Sequence, residues 1–152
     1  MRIFLIFSLY LFISGCSTRL QYAGINSPEN NAPKTAYIVN PELRNELEIL
    51  EYSGLYKTST DKNSQIKITL NPIKPMPGCG NAALFSAITL GFIPVEYDEK
   101  FEFSFTESKG NLIKTHEYQL ENLILKSSNY EWLYFWSSDN EQLGEALHAA
   151  AQ

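Results

Sequence analysis

The sequence predicts an α+β fold in which a small antiparallel sheet is flanked by an N-terminal helix and a C-terminal helix. Leucines at helical spacing in residues 41–53 predict the first helix, and alternation of apolar and polar residues in 66–71 and 101–106 predicts strands. A capping sequence at 138–141 predicts the second helix. Because the strand patterns lie between the two helical patterns, we expect one sheet with a helix on either side of it in the chain.

The first helix is predicted to run from Pro41 to about Ser53. Asn40 suits the N-cap, Pro41 suits the first helical position, and Gly54 can adopt the left-handed conformation that ends a helix. One face is apolar and carries Leu43, Leu47 and Leu50. The glutamates of this helix are expected to form a solvated face.

The strands are predicted from alternation with a period of two, which is typical of a sheet buried on one side. The apolar positions are Ile66, Ile68 and Leu70 in one stretch and Phe101, Phe103 and Phe105 in the other. Ser108-Lys109-Gly110-Asn111 contains turn residues, so 101–120 is predicted to form a hairpin. Leu55 to Thr60 is a further candidate strand, and Asn122 to Lys126 would either continue the hairpin or start a new strand.

The second helix follows Ser138-Asp139-Asn140-Glu141, which has the form of a capping box. Its apolar stripe consists of Leu143, Ala146, Leu147 and Ala150. Residues 36–152 contain no internal repeat and no change in composition along the chain, so they are predicted to form a single domain.

The composition argues against a nucleic-acid partner. The chain has 152 residues, 44% of them hydrophobic, and 12 Lys and Arg against 17 Asp and Glu, for a formal net charge of -5. Proteins that bind nucleic acid neutralise phosphates with clustered basic residues, and the chain has no such run.

The N-terminal residues indicate an export signal. Arg2 precedes an uncharged stretch from Ile3 to Ile13, which is too short to cross a membrane, since a spanning helix needs about 20 apolar residues. The stretch ends in Ile13-Ser14-Gly15-Cys16, which resembles the lipobox of bacterial lipoproteins. The resemblance implies that 1–15 is a cleaved signal peptide and that Cys16 carries fatty acyl chains such as palmitate.

This resemblance also implies a location. A serine directly after the acylated cysteine, here Ser17, is compatible with sorting to the outer membrane, so we expect a lipid-anchored protein on its periplasmic face. Residues 16–35 are predicted to be the lipidated Cys16 and a flexible tether, because polar and turn-forming residues predominate. The acylated Cys16 would make membrane lipid one partner of the protein.

A second resemblance covers Leu47 to Leu70. This stretch, which includes Glu51-Tyr52-Ser53-Gly54-Leu55-Tyr56, resembles the helix-strand unit of the TolB amino-terminal domain and of curli-assembly-type envelope lipoproteins. The resemblance identifies no functional residue of those families in this chain. It implies a small sheet flanked by helices and a role in envelope assembly.

Two unusual segments are candidates for contact with a membrane or a partner. Residues 75–95 contain no charge, and they would form either a buried short helix or a contact segment through Leu84, Phe85, Leu90, Phe92 and Ile93. Residues 130–136 contain both tryptophans, Trp132 and Trp136. These side chains would pack in the core, stack on sugar rings or lie at a lipid interface.

Catalytic motifs are not found in the sequence. It has no HExxH, no paired cysteines with metal spacing, no phosphate-binding glycine loop and no nucleophile elbow, so we predict no catalytic residues, no metal and no cofactor. Cys79 is expected to be a small buried apolar residue, with an intermolecular disulfide or a redox site as the alternative. His116 and His148 are expected to be ordinary polar surface residues.

Together these features favour a non-enzymatic envelope lipoprotein that binds or scaffolds another envelope component, either a protein or a glycan. One alternative is a membrane-active or self-assembling protein that uses 75–95. The other is an envelope enzyme whose site has no sequence motif and involves His116 or Cys79.

Overall fold

The computed structural model describes residues 17–24, 32–76, 95–128 and 138–152. The strands are β1 (Ser17–Tyr22), β2 (Lys34–Ile38), β3 (Tyr56–Ser59), β4 (Ile66–Leu70), β5 (Lys74–Pro75), β6 (Val95–Lys109) and β7 (Leu112–Ser128). The helices are α1 (Arg44–Tyr52) and α2 (Asp139–Ala150).

All of these strands belong to one curled sheet that forms a half-barrel. Their order is β1-β7-β6-β4-β2-β3, and β5 pairs with β6. β2 runs parallel to β3 and β4, whereas the other pairings are antiparallel. The prediction of a small antiparallel sheet flanked by helices is therefore wrong. The sheet is large and mixed, because α1 is the crossover that joins parallel strands β2 and β3, which requires a connection longer than a hairpin turn.

The long hairpin of β6 and β7 is the main element of the sheet. Its turn is Gly110-Asn111, where Gly110 has a φ of +59° that costs glycine little. The predicted hairpin is confirmed, and it is longer than predicted, since its strands begin at Val95 and end at Ser128. Residues 122–126 continue its second arm, and a bulge interrupts the pairing between Glu99 and Phe101.

β1 lies in the stretch for which the sequence predicts a tether. It pairs antiparallel with the end of β7, from Ser17 opposite Ser128 to Tyr22 opposite Leu123, and Leu20 is buried in the core. The tether prediction is therefore wrong for Ser17–Tyr22, and also for the first residues of β2. The sequence around β1 has too few apolar residues to show alternation, and its partner strand is distant in the chain.

The outer side of β1 is covered by α2. The backbone N–H of Leu20 donates to Oδ1 of Asp139 at 3.1 Å, and that of Tyr22 donates to Oε1 of Gln142 at 2.7 Å. These two amides do not bond to β7, because alternate residues of an antiparallel strand point their N–H groups away from the partner. Side chains of α2 thus accept hydrogen bonds from the backbone N–H groups of β1 that point away from β7.

α1 begins at Arg44 and not at Pro41, because Asn40 makes other hydrogen bonds. Nδ2 of Asn40 donates to the carbonyl of Leu70, and Oδ1 accepts from the N–H of Leu70, both at 2.8 Å. The side-chain amide thereby extends the pairing of β2 with β4 by one step. Leu43 occupies the N-cap without a side-chain hydrogen bond.

The end of α1 agrees with the sequence-based prediction, but the burial of one of its glutamates does not. Gly54 has a φ of +68°, which confirms it as the left-handed stop. Glu46, which is predicted to be solvated, is only 8% exposed, and its Oε1 accepts a hydrogen bond from the N–H of Ile73 at 3.0 Å. It fixes the chain after β4 to the helix, because a backbone N–H in this half-buried place needs an acceptor.

α2 begins with the predicted cap, since Oγ of Ser138 accepts a hydrogen bond from the N–H of Glu141 at 3.1 Å. The predicted stripe is buried except for Ala150, which is exposed. Gly144 lies against α1 so closely that a Cβ in its place would overlap the Cβ of Tyr52. The missing side chain therefore sets the distance between the two helices.

The core lies between the concave face of the sheet and the two helices. Its apolar members are Leu20, Ala36, Ile38, Ile49, Leu50, Tyr56, Ile68, Leu70, Phe103, Phe105, Leu120, Leu123, Leu143, Ala146 and Leu147. Among the described residues, neither helix has the length and apolar character needed to cross a bilayer.

Candidate functional site

A cluster of polar side chains lies on the concave face of the β6–β7 hairpin. Phe105 of β6 is directly opposite His116 of β7, and their rings stack with centroids 4.9 Å apart and planes 18° apart. Tyr118 is two residues further along β7, so it shares this face. Glu107 is two residues from Phe105 on β6, so it lies on the same face, on the other side of the Phe105–His116 pair from Tyr118.

Three hydrogen bonds join this cluster into a chain. Nδ1 of His116 is 3.2 Å from the hydroxyl of Tyr118, and Nε2 of His116 is 3.1 Å from Oε2 of Glu107. The hydroxyl of Tyr56 donates to the same Oε2 at 2.8 Å. Because a carboxylate only accepts, Nε2 of His116 must donate, and in the neutral imidazole Nδ1 then accepts from Tyr118.

The environment keeps Glu107 ionised. Burial alone raises the pKa of this carboxyl, but the hydrogen bonds from Tyr56 and His116, together with the charge of Lys34, outweigh burial and hold the pKa below its ordinary value. The side chain of Glu107 is 16% exposed and that of His116 is 15% exposed. This charge is therefore stabilised by fixed protein groups more than by water.

Both tyrosines remain neutral at physiological pH. Burial, reinforced by the hydrogen bond to Glu107 and by its charge, raises the pKa of Tyr56 far above the ordinary value for a phenol. Burial, followed by the charge of Glu107, also raises the pKa of Tyr118. Each hydroxyl therefore keeps its proton, which Tyr56 donates to Glu107 and Tyr118 donates to His116.

The cluster forms one wall of a cavity of about 420 Å³. The opposite walls come from the start of β2, the end of α1 and the end of α2. The lining residues are Ala32, Lys34, Gly54, Leu55, Tyr56, His116, Tyr118, His148, Ala151 and Gln152. Polar groups from four separate elements thus converge on one space, because the sheet curls.

His148 is oriented by the contact between the two helices. Its Nδ1 donates to the backbone carbonyl of Ser53 at 2.7 Å, at the end of α1. Ser53 is itself only 2% exposed, and its hydroxyl donates to the carbonyl of Leu50 at 2.6 Å. This arrangement fixes the imidazole of His148, which lines the cavity.

The sequence-predicted contact residues are not among these groups. Cys16, Leu84, Phe85, Leu90, Phe92, Ile93, Trp132 and Trp136 lie outside the described residues, as does Cys79. Within the described part of the chain, no group of three or more His, Cys, Asp and Glu side chains is arranged to hold a metal ion.

The two histidines are not ordinary surface residues, so that prediction is wrong. They lie on β7 and α2 as the sequence predicts, but both are partly buried and both line the cavity. A signal for His116 is present in the sequence. Its position on β7 alternates in phase with Tyr118 and the buried Leu120, so it falls on the inward face of the strand.

Comparison with known proteins adds no functional assignment. No protein family matches the chain, and no curated protein matches its sequence.

Proposed function

We propose that this protein is a lipid-anchored lipoprotein of the bacterial envelope that binds a polar group of another envelope component in its half-barrel cavity. The observation that carries the proposal is the cavity itself. Its volume of about 420 Å³ is typical of a site for a small ligand or for one residue of a larger one.

The wall of the cavity suits polar recognition. Tyr118, His148 and Lys34 supply a hydroxyl, a ring nitrogen and an ammonium group. The chain of hydrogen bonds through His116 to Glu107 holds part of this wall in place before any ligand arrives. Groups that are already oriented lose less conformational entropy on binding, which favours affinity.

The same geometry favours binding over catalysis. Both ring nitrogens of His116 are within hydrogen-bond distance of protein groups, so neither is left to take a proton from a substrate. The pKa of Glu107 is lowered and that of Tyr118 is raised. Both shifts lead away from neutral pH, whereas a general acid or base works best with a pKa near the operating pH.

The anchor in this proposal is the acylated Cys16 of the lipobox-like Ile13-Ser14-Gly15-Cys16. Several acyl chains hold a protein on a bilayer without a spanning helix, since each buried methylene contributes about 0.8 kcal/mol. The partners are then membrane lipid through Cys16 and an envelope protein or glycan through the cavity. Nucleic acid is not proposed as a partner, because the chain has a net charge of -5.

Photo-crosslinking in intact cells tests the cavity. A photoreactive amino acid at Leu55, on the cavity wall, should form a specific adduct, which mass spectrometry identifies as a protein or a glycan. The same amino acid at Lys57, an exposed residue of β3 that points to the face opposite Tyr56 and does not line the cavity, is the matched control. Adducts of equal yield at both positions, or none at Leu55, would contradict the proposal.

A double variant tests which groups are responsible. His148→Ala with Tyr118→Phe removes an imidazole and a hydroxyl from the cavity wall and should reduce the Leu55 adduct. Lys67→Ala changes an exposed residue of β4 outside this cavity and should leave the yield unchanged.

A further inference from the structure

The first described strand, β1, is directly adjacent to the proposed acylation site. β1 begins at Ser17, the residue after Cys16, and Ser17 is already paired with Ser128 of β7. The pairing continues without interruption to Tyr22 opposite Leu123. No flexible linker therefore separates the acylated residue from the sheet.

The register of the sheet brings three chain positions to the same end, which we call the base. Ser17 pairs with Ser128, and Val95 at the start of β6 pairs with Ser127. Val95, the last residue of the uncharged stretch, is at the base, whereas Pro75 at the start of that stretch pairs with Phe101 further along β6. Ser17, the residue after the lipobox, is also at the base.

The cavity lies toward the other end, which we call the tip and which ends in the turn Gly110-Asn111. Glu107, which is hydrogen-bonded to the cavity residues Tyr56 and His116, is near the tip. It is at most about 40 Å from Val95 along β6, at ~3.3 Å per residue. α2 follows the same axis, since Asp139 at its start contacts Leu20 of β1 and His148 near its end contacts Ser53 at the cavity.

We infer that the base is a membrane-contact surface and that the body stands on the bilayer with the cavity at a fixed height above the lipid. The inference rests on the proposed acylation of Cys16. The base contacts the same bilayer that holds the acyl chains. A flexible tether of 20 residues would let the cavity reach any height up to tens of ångströms, whereas the paired β1 removes that freedom.

Fluorescence quenching in liposomes tests this orientation. The lipidated full-length protein, carrying a fluorescent amino acid in place of Glu96 or Asn111, is reconstituted into phosphatidylethanolamine and phosphatidylglycerol vesicles that contain a headgroup nitroxide lipid. Glu96 is near the base and exposed, and its ion pair with Lys126 is a surface pair of small energetic value. The label at Glu96 should lose fluorescence, and the label at Asn111, at the tip, should not.

A linker variant provides the matched control. Ten Gly and Ser residues inserted between Cys16 and Ser17 add a mean span of roughly 17 Å, so quenching at Glu96 should fall. Equal quenching at base and tip, or quenching that the linker does not change, would overturn the orientation. Mass spectrometry of the amino terminus separates the two proposals: an unmodified Cys16 overturns both, and a lipidated Cys16 with an unquenched base overturns only the orientation.

Discussion

The hydroxyl of Tyr56, on the last strand of the sheet, donates a 2.8 Å hydrogen bond to Glu107, which lies three strands away. Neighbouring strands are about 4.8 Å apart, so a side chain could not bridge three strands of a flat sheet. The bond exists because the sheet curls into a half-barrel, and it holds Tyr56, which lines the cavity, against the charged Glu107.

The acid stability of the protein should depend on Glu107. Its pKa in the folded state is below the ordinary value near 4.5, so its contribution to stability is complete above that value and is lost as the pH falls below it. Glu107→Gln should lower the free energy of unfolding at pH 7 by about 2 kcal/mol, because two hydrogen bonds lose a charged acceptor. It should also make stability less sensitive to acid.

Urea unfolding measured from pH 7 to pH 3 checks this expectation. Glu102→Gln is the control on the same strand, since the side chain of Glu102 is 39% exposed and its ion pair with Lys74 is solvated. An acid dependence that is identical in wild type and Glu107→Gln would contradict the assignment.

Tyr56→Phe should raise the pKa of Glu107 toward its ordinary value. The variant removes a hydrogen bond that favours the ionised carboxylate while it keeps the ring that packs edge-on against Phe105. An NMR titration that follows the Glu107 carboxyl carbon measures the change. Tyr97→Phe is the control, because Tyr97 is on the same strand but is not among the groups that shift the pKa of Glu107. If the pKa of Glu107 stays the same in Tyr56→Phe, the result would argue against the hydrogen bond.

Gly144→Ala should destabilise the protein although alanine is the better helix former. The gain in helix propensity is about 1 kcal/mol, but the new Cβ overlaps the Cβ of Tyr52 and lies 3.0 Å from the carbonyl of Ile49. Overpacking of this kind costs about 1–3 kcal/mol, so the net effect should be a loss of up to 2 kcal/mol.

Chemical denaturation of Gly144→Ala measures this loss. Glu145→Ala, at the next position of α2, is the control for helix propensity and should change stability by less than about 0.5 kcal/mol. Stabilisation by Gly144→Ala would show that the two helices are further apart than the contact with Tyr52 implies.

Gln142→Ala should speed hydrogen exchange at one amide of β1. The backbone N–H of Tyr22 donates to Oε1 of Gln142, whereas that of Leu20 donates to Asp139. Exchange at Tyr22 should therefore accelerate while exchange at Leu20 changes little, as NMR can resolve. Equal acceleration at both amides would indicate instead that β1 as a whole has loosened.

Local patterns in the sequence predict the elements that depend on neighbouring residues. The alternation at Phe101, Phe103 and Phe105 and the turn at Gly110-Asn111 predict the hairpin, Gly54 predicts the end of α1, and Ser138 predicts the start of α2. Each of these rests on a short-range cause, such as a cap, a positive φ or one-sided burial.

The sheet order and the cavity could not be predicted, because they depend on residues far apart in the chain. β1 pairs with a strand more than 100 residues away, and β2 lies between two strands to which it is parallel. Asn40 fits an N-cap equally well until β4 is placed beside it. Likewise, nothing local to His116 indicates that Tyr56 and His148 lie around the same cavity.

The side chains of Asp139 and Gln142 along β1 also bear on self-association. A strand whose amides are unoccupied can template the addition of a strand from another molecule, which is how fibres and swapped dimers begin. Here a second molecule would first have to displace two hydrogen bonds and the N-terminal part of α2. The helix thus acts as a built-in barrier to polymer growth along this side of the sheet.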